Sequence, residues 1–562
     1  MKARFKQNLP LILSTILVFV ALLFPRVLKL GQFVTADEPL WLARLANFTI
    51  ALLRDDFINT YQKEHPGVTI LWAGAGGFLW QYPEIRQLAG KQPALDQRLT
   101  EYLRLRERSP LPILVASRLF VALAVVVALT LAYLYAVRLL GLIPSLLGFL
   151  VIAFDPFSIA HTRLLHLDGL AGALMLLSLL AMMACLYIRR RWIDLVVSAI
   201  AAGLSWLTKS PALFLAPFVA ALGVHALWSL RKTGQVGWWA GFRRIFVPLA
   251  VWLMLAALIY FLLWPAMWVD PVGTIGHVLS GATGYAVEGH DRAVFFDGTV
   301  FENGSIPDWR FYPIVFLWRA TPVLLVGLFL ALSAFLLRKR LAFPLERQMA
   351  TAILFLFAFS FGLFMSLGDK KFDRYLLPAF GPLILVAAVG FFTWLDNGRV
   401  FIARQPWPKS GRLADILIWG VMIAIVLAGA IGTITTFPYT ISYYNPWLGG
   451  SGKASAVMQV GWGEGLDQSA RYLNGKPGAN QLKVMSWYPD GPFSHFFVGR
   501  AVMQEFPPDP EMLPKLDYVV IYTHQWQRQL PSAEFLDFFA HLTPEHSVWI
   551  NGIEYARLYR MH

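Results

Sequence analysis

The chain has 562 residues, 57% of them hydrophobic and only 15% charged, with a mean hydropathy of +0.55. A soluble protein carries roughly 25% charged residues, so a soluble globular fold is excluded. The single cysteine, Cys185, excludes an internal disulfide and a metal–thiolate cluster.

The apolar surplus comes in blocks of about 20 residues, the length a helix needs to cross hydrocarbon. About eleven spans are expected, near Pro10–Leu28, Leu111–Val137, Leu142–Phe157, Leu167–Ile188, Ile193–Leu207, Pro211–Leu230, Ile245–Trp264, Pro313–Leu337, Met349–Leu367, Tyr375–Leu395 and Ile416–Phe437. The fifth is the shortest. The first resembles a signal peptide, but no small-residue cleavage site follows, and Pro25-Arg26 interrupts it. An uncleaved signal anchor is expected. Two long segments separate spans, residues 31–110 and 265–312. The first contains LWLARLANFTIALL, apolar nearly all round and suited to the membrane interface. The second is rich in Gly, Asp and aromatic residues.

After Phe437 the composition turns water-soluble. GLDQSARYLNG and SAEFLDFFAHL read as amphipathic helices, and QLKVMSWYP and LDYVVIYT as strands. SVWINGIEYARLY carries Asn551-Gly552 between alternating residues, a strong hairpin signal. The expected organisation is a polytopic helical membrane domain over 1–437 and a small α/β domain over 438–562. At about 120 residues the latter is large enough to bury its own core.

Basic residues of short loops stay in the cytoplasm. One set of loops collects Lys2, Arg4, Lys6, Arg138, Arg189–Arg191, Arg231, Lys232, Arg243, Arg244, Arg338–Arg340, Arg347, Arg399, Arg404, Lys409 and Arg412. The opposite short loops hold only Arg163, Lys209, Lys370, Lys371 and Arg374. The N-terminus is therefore expected inside and the C-terminal domain outside the cell or inner membrane. This asymmetry accounts for the net charge of +14, and no nucleic-acid partner is needed.

Five clusters converge on the outer face: TADEPLW with Asp37 and Glu38, EHPGVTILW at Glu64–Trp72, DPFSIAHTRLLHLDGL at Asp155–Leu170, LTKSP at Leu207–Pro211, and GDKKFDRYLLP at Gly368–Pro378. Ionisable groups at membrane depth are expensive, and their convergence marks a site. The carboxylates Asp37, Glu38 and Asp168 could deprotonate a nucleophile or hold an acceptor. The cations Arg163, Lys209, Lys370, Lys371 and Arg374 could neutralise a phosphate without a metal. A phosphate-bearing lipid suits this mixture. Each element also has a plainer reading. Glu38 and Asp168 could cap helices, Lys209 could snorkel to the surface, and the Lys370–Arg374 run could be a solvated loop. His161 and Asp168 would share a face in one helix at i, i+7. GWGEG, at Gly461–Gly465, lacks the Lys-Ser/Thr ending of a phosphate loop and reads as a turn. The histidines, among them His65, His161, His166, His277 and His290, show no metal-ligand spacing. No cofactor is expected; were a divalent metal used, Glu64 with His65 would be its first ligands. Two sequons, at Asn47 and Asn303, complete the outer segments.

Taken in order, these motifs resemble the GT-C glycosyltransferases, in the branch of protein O-mannosyltransferases and bacterial aminoarabinose-lipid A transferases. Asp37-Glu38 matches that family's acidic pair, RLLHLDGL its Arg-x-x-x-x-Asp signature through Arg163 and Asp168, and LTKSP its Thr-Lys-Gly-Pro turn. KKFDRYLLP, with Lys370, Lys371, Arg374 and Tyr375, is similar to its Lys…Arg-Tyr-Leu-Leu-Pro segment, and EHPGVTILW to its acid–basic–Pro element. The resemblance covers residues 1 to about 437. Departures are Pro-Leu-Trp after the acidic pair, where many aminoarabinose transferases have an arginine, and His65-Pro66-Gly67 in place of Lys-Pro-Pro. The resemblance implies an inverting, polyprenyl-phosphate-sugar-dependent glycosyltransferase acting on an acceptor hydroxyl of a lipid, glycan or protein. In that reading Asp37 takes the acceptor proton, Glu38 pairs with Arg163 on the acceptor side, and Lys209, Lys370, Lys371 and Arg374 hold the donor phosphate beside His65 and His161. A polymerase or ligase using a lipid-diphosphate donor is an alternative that would want an outer arginine pair. A membrane transporter would place charges near the midplane and show repeats, and neither is seen.

Overall fold

The computed structural model describes residues 2–88, 99–232, 237–287, 289, 292–302, 305–406, 409–503 and 513–561. His290 and the sequon residue Asn303 lie outside the described residues. Long apolar helices form the bulk of the protein. Among the described residues, eight pass the length and composition needed to cross a membrane, or up to ten if two bent pairs each count as one span. The shorter apolar helix Trp192–Thr208 stands where the fifth expected span was placed. In chain order the helices that matter for the site are α1 (Lys2–Val27), α2 (Glu38–Leu53), α3 (Val68–Gln81), α4 (Pro110–Leu140), α5 (Leu142–Phe154), α6 (Pro156–Thr162), α7 (Leu167–Tyr187), α8 (Trp192–Thr208), α9 (Phe311–Arg319), α10 (Pro322–Leu336), α11 (Leu345–Ser366), α12 (Leu377–Ala403) and α13 (Ser410–Thr436). The expected span Leu142–Phe157 ends early, because Asp155-Pro156 bends α5 from α6 by 64°. Asp155 accepts the Ser158 amide at 2.8 Å, and Pro156 starts the new helix. A sharper elbow of 112° separates α9 from α10, where Thr321 caps the Leu324 amide and Pro322 cannot continue the preceding helix.

Helices α7 and α12 are the most enclosed spans. A helix apolar on every side belongs inside a bundle, and both are. His161 and Asp168 do not share a helix, as the i, i+7 spacing had suggested. The chain turns between Thr162 and Leu167, and α7 starts afresh. Gly169 permits this, since a Cβ there would lie 2.5 Å from the His161 carbonyl oxygen. That close approach sets Asp168 at the tip of α7 beside the residues of the turn.

Beyond Phe437 lies a five-stranded mixed sheet formed by β3 (Lys483–Ser486), β4 (Arg500–Met503), β5 (Tyr518–Tyr522), β6 (His546–Ile550) and β7 (Ile553–Arg560), after the small hairpin of β1 (Val294–Phe296) and β2 (Thr299–Phe301). Its order is β4-β3-β5-β7-β6, with β3 parallel to β4 and β5, and β7 antiparallel to β5 and β6. Asn551 and Gly552 take φ of +52° and +82°, the left-handed pair that a two-residue hairpin turn requires. This sheet region sits on the end of the bundle that carries Asp37. Arg319, at the α9–α10 elbow, donates to the carbonyls of Ile441 and Tyr443 at 2.9 and 2.7 Å. Ala36 donates to the Trp462 carbonyl at 2.8 Å.

Candidate active site

Asp37 and Glu38 are adjacent, yet their surroundings differ. Glu38 is fully buried. Its Oε1 accepts from Arg118 Nε at 2.6 Å and from the Leu165 amide at 2.9 Å, while its Oε2 accepts from Arg118 Nη2 and from the Thr35 amide and hydroxyl, both at 2.9 Å. Burial alone would raise this carboxyl's pKa, but Arg118 and the two amides hold it below the usual range. The expected pairing with Arg163 is not formed. Arg163 donates to the Leu28 carbonyl and stands over the Phe437 ring at 5.4 Å. Arg118 takes its place because α4 carries it directly beneath the first turn of α2. With every lone-pair direction engaged, Glu38 ties the segment after α1 to α4 and to the α6–α7 turn.

Asp37 leaves 35% of its side chain exposed. Its Oδ2 lies 3.2 Å from Arg374 Nη2 and 3.3 Å from His166 Nε2. It also stands at the N-terminal boundary of α2 but makes no capping bond. Burial works to raise its pKa; the His166 contact, the Arg374 guanidinium and the Trp462 indole outweigh that and bring it down to about 2. His166 bridges two acids, since its Nδ1 is 3.0 Å from Asp168 Oδ2. Burial opposes its charge, but Asp168 and Asp37 raise its pKa above the ordinary imidazole value. Asp168 does not cap α7 with its side chain. Its Oδ1 meets Lys209 Nζ at 2.5 Å, and Arg374 Nε lies 3.6 Å from Oδ2. Lys209 is 6% exposed and sits over the Tyr375 ring at 3.7 Å. It is a buried ion-pair partner and not a snorkelling surface lysine. The chain Asp37–His166–Asp168–Lys209, crossed by Arg374, is a continuous network of alternating charge.

The remaining expected residues lie around it. Lys371 is buried and donates to the Pro307 carbonyl at 2.9 Å, so the Lys370–Arg374 run is not a solvated loop. His161 sits edge-on to Phe157 at 4.9 Å and 6.0 Å from Trp462. His65 lies 3.4 Å from the Ser210 hydroxyl. Burial, aided by Lys209, lowers its pKa to about 3, so it offers a hydrogen bond and no positive charge. Lys370 contributes at longer range to the same field. Among the described residues, no three His, Cys, Asp or Glu side chains are placed to hold a metal ion.

A cavity of about 300 Å³ opens beside the network, where Asp37, His161, Lys371 and Arg374 meet residues of the sheet region. A second, far smaller cavity of about 10 Å³ is lined by Asp168, Lys209 and Tyr375 together with the apolar side chains of Met175, Pro211, Phe361 and Met365. Several participants were not singled out from the sequence. His166 was noted only as one histidine among several. Arg118 was detectable as a charge in the interior of a 31-residue apolar helix whose other charge, Arg138, lies in its last turn, a placement that calls for a partner. Arg319 lies at a proline-marked elbow and pairs with Asp373 at 2.6 Å. Trp462 and Glu464 come from the GWGEG turn, which carries no local signal of where it docks.

No family model and no curated protein matches the chain. Among solved structures it is similar to ArnT from Cupriavidus metallidurans bound to undecaprenyl phosphate, at 14% identity and a TM-score of 0.48, covering 98% of this chain and 97% of that one. The apo state of the same ArnT gives 14% and 0.47, with 99% and 98% covered. The archaeal oligosaccharyltransferase AglB from Archaeoglobus fulgidus, in complex with an inhibitory peptide and a dolichol-phosphate, gives 12% and 0.46, covering 98% of this chain and 74% of that one. At these scores the likeness concerns the course of the chain, and the chemistry rests on the side chains above.

Proposed function

We propose that this protein is an inverting glycosyltransferase that moves a sugar from a polyprenyl-phosphate donor to an acceptor hydroxyl at the outer membrane face. The observation that carries the proposal is Asp37: a carboxylate open to a cavity, flanked by fixed cations, at the end of a membrane-type bundle. The acceptor hydroxyl attacks the anomeric carbon while Asp37 takes its proton. The new oxygen–carbon bond forms as the bond from the anomeric carbon to the phosphate oxygen breaks, and the lipid phosphate leaves with the electron pair. Charge grows on that phosphate in the transition state, so preorganised Arg374, Lys209 and Lys371 lower the barrier.

A carboxylate with a pKa near 2 is a poor base. Donor binding corrects this. The phosphate competes for Arg374 and His166, and Asp37 regains basicity as they turn toward the new anion. Glu38 acts as a positioning residue, holding the backbone of Asp37 against the α6–α7 turn. The basic asymmetry of the loops supports a cytoplasmic N-terminus and an outer sheet region. The test is to incubate the purified full chain in lipid with a panel of radiolabelled polyprenyl-phosphate sugars. One of them is expected to be consumed, with or without chelator. Loss of turnover in EDTA, restored by a divalent ion, would replace the fixed-cation mechanism with a metal-dependent one. Consumption of none of the panel would refute the donor class.

A further inference from the structure

The GWGEG turn was read as a loop element, yet it reaches the centre of the network. Gly461, Gly463 and Gly465 adopt φ of +99°, +120° and +91°, which only glycine takes readily. A Cβ on Gly463 would stand 2.4 Å from the Val34 carbonyl oxygen. The turn is thereby pressed against the segment leading into Asp37. Trp462 lies beneath the Arg374 guanidinium at 4.3 Å and edge-on to His166 at 5.0 Å.

Two residues on, Glu464 lines the same cavity as Asp37. It is 2% exposed. One carboxyl oxygen accepts the Trp462 amide at 2.8 Å, Tyr555 adds a contact, and among the described residues it forms no ion pair. Tyr522 and Tyr555 surround it, and Tyr522 donates to its backbone carbonyl at 2.9 Å. Arg319 lines the same cavity and acts on Glu464 only at longer range; burying a carboxyl without a direct ion-pair partner is costly, and an apolar side chain would be cheaper at that position. Burial pushes its pKa up to about 7. Around neutral pH it can therefore accept a hydrogen bond as the carboxylate or donate one as the acid. That suits a hydroxyl group, which both donates and accepts, and does not suit a phosphate.

We infer that Glu464, supplied by the sheet region, binds a hydroxyl of the sugar being transferred and helps to select it. The inference rests on the glycosyl-transfer reading: cations of the bundle hold the phosphate, and the sugar extends across the cavity to Glu464. A hydrogen bond to a charged group is worth about ten- to hundredfold in affinity. The experiment measures binding of bare polyprenyl phosphate and of polyprenyl-phosphate mannose, glucose and arabinose to the full chain in nanodiscs. Wild type is compared with Glu464→Gln and Glu464→Asp, each checked by thermal unfolding. Glu464→Gln is expected to weaken the sugar donor that wild type binds best by about tenfold or more, and to leave bare polyprenyl phosphate within twofold. Glu464→Asp, with its carboxyl drawn back, is expected to fall between. Equal weakening of donor and bare lipid phosphate would overturn the assignment, as would an unchanged sugar donor. If wild type itself binds no sugar donor more tightly than bare polyprenyl phosphate, the glycosyl-transfer reading falls first.

Discussion

Replacing Asp37 by Asn is the most direct test of the chemistry. The amide keeps the size and most of the hydrogen bonding but cannot accept a proton. Loss of a general base costs on the order of 100- to 10,000-fold in rate. The structure adds a second expectation, for binding. Asp37 contacts Arg374 at 3.2 Å and His166 at 3.3 Å, and the donor phosphate must compete with it for both. Because 35% of its side chain is exposed, the pair is worth no more than about 1 kcal/mol. Freed of that competition, Asp37→Asn should bind polyprenyl phosphate about two- to fivefold more tightly while turning over far more slowly. Stability should change little, since Asp37 makes no capping bond to α2. Single-turnover rates with a radiolabelled donor, beside equilibrium binding of polyprenyl phosphate, separate the effects. A variant within threefold of wild-type turnover would refute the base assignment and shift it to Asp168.

Lys209→Ala should destabilise the protein by about 1–3 kcal/mol, because it removes the cation nearest to buried Asp168 and leaves His166 and Arg374 to hold the carboxylate. Lys209→Ala with Asp168→Ala should recover much of that in thermal unfolding while leaving donor binding weak. Folded Glu464 holds its proton to about pH 7, whereas the unfolded residue releases it near the ordinary glutamate value of 4.5. Folding therefore takes up a proton between those values, so stability falls as pH rises through that window and levels off above it. Glu464→Gln should flatten this part of the curve, and an unchanged profile of melting temperature against pH would disprove the raised pKa. In a Cys185→Ala background, single cysteines at 404 and 500 should be shielded from and open to an impermeant thiol reagent on intact cells, respectively; the reverse pattern would invert the proposed topology.

The apolar blocks made the helical bundle legible, and Asn551-Gly552 announced the final hairpin, because both signals are local. The bends at Asp155-Pro156 and Thr321-Pro322 were written in the prolines but masked by continuous hydropathy. The candidate site was legible as a set of clusters and not as a set of pairs. Glu38 meets Arg118, 80 positions away, and helix packing decides that partner. Lys209 looked like a snorkelling residue, because a lysine at a span's end does so unless a carboxylate is brought to it. Asp168 is brought there by the close packing at Gly169. The GWGEG turn was recognisable as a turn, but nothing in five residues can report a docking site more than 400 positions earlier in the chain.

The reach of that turn also bears on biosynthesis. Translation runs from the N-terminus, so Asp37, Asp168, Lys209 and Arg374 are all made before Trp462. The α9–α10 elbow likewise waits for Ile441 and Tyr443, whose carbonyls receive Arg319. A nascent chain inserted up to α13 therefore carries the charged groups without the turn that closes them into one centre. The cavity beside Asp37, which the proposed function uses, is complete only after the last fifth of the protein has emerged and folded. Late completion would then act as a built-in check, because a chain cut short before Trp462 lacks one wall of that cavity.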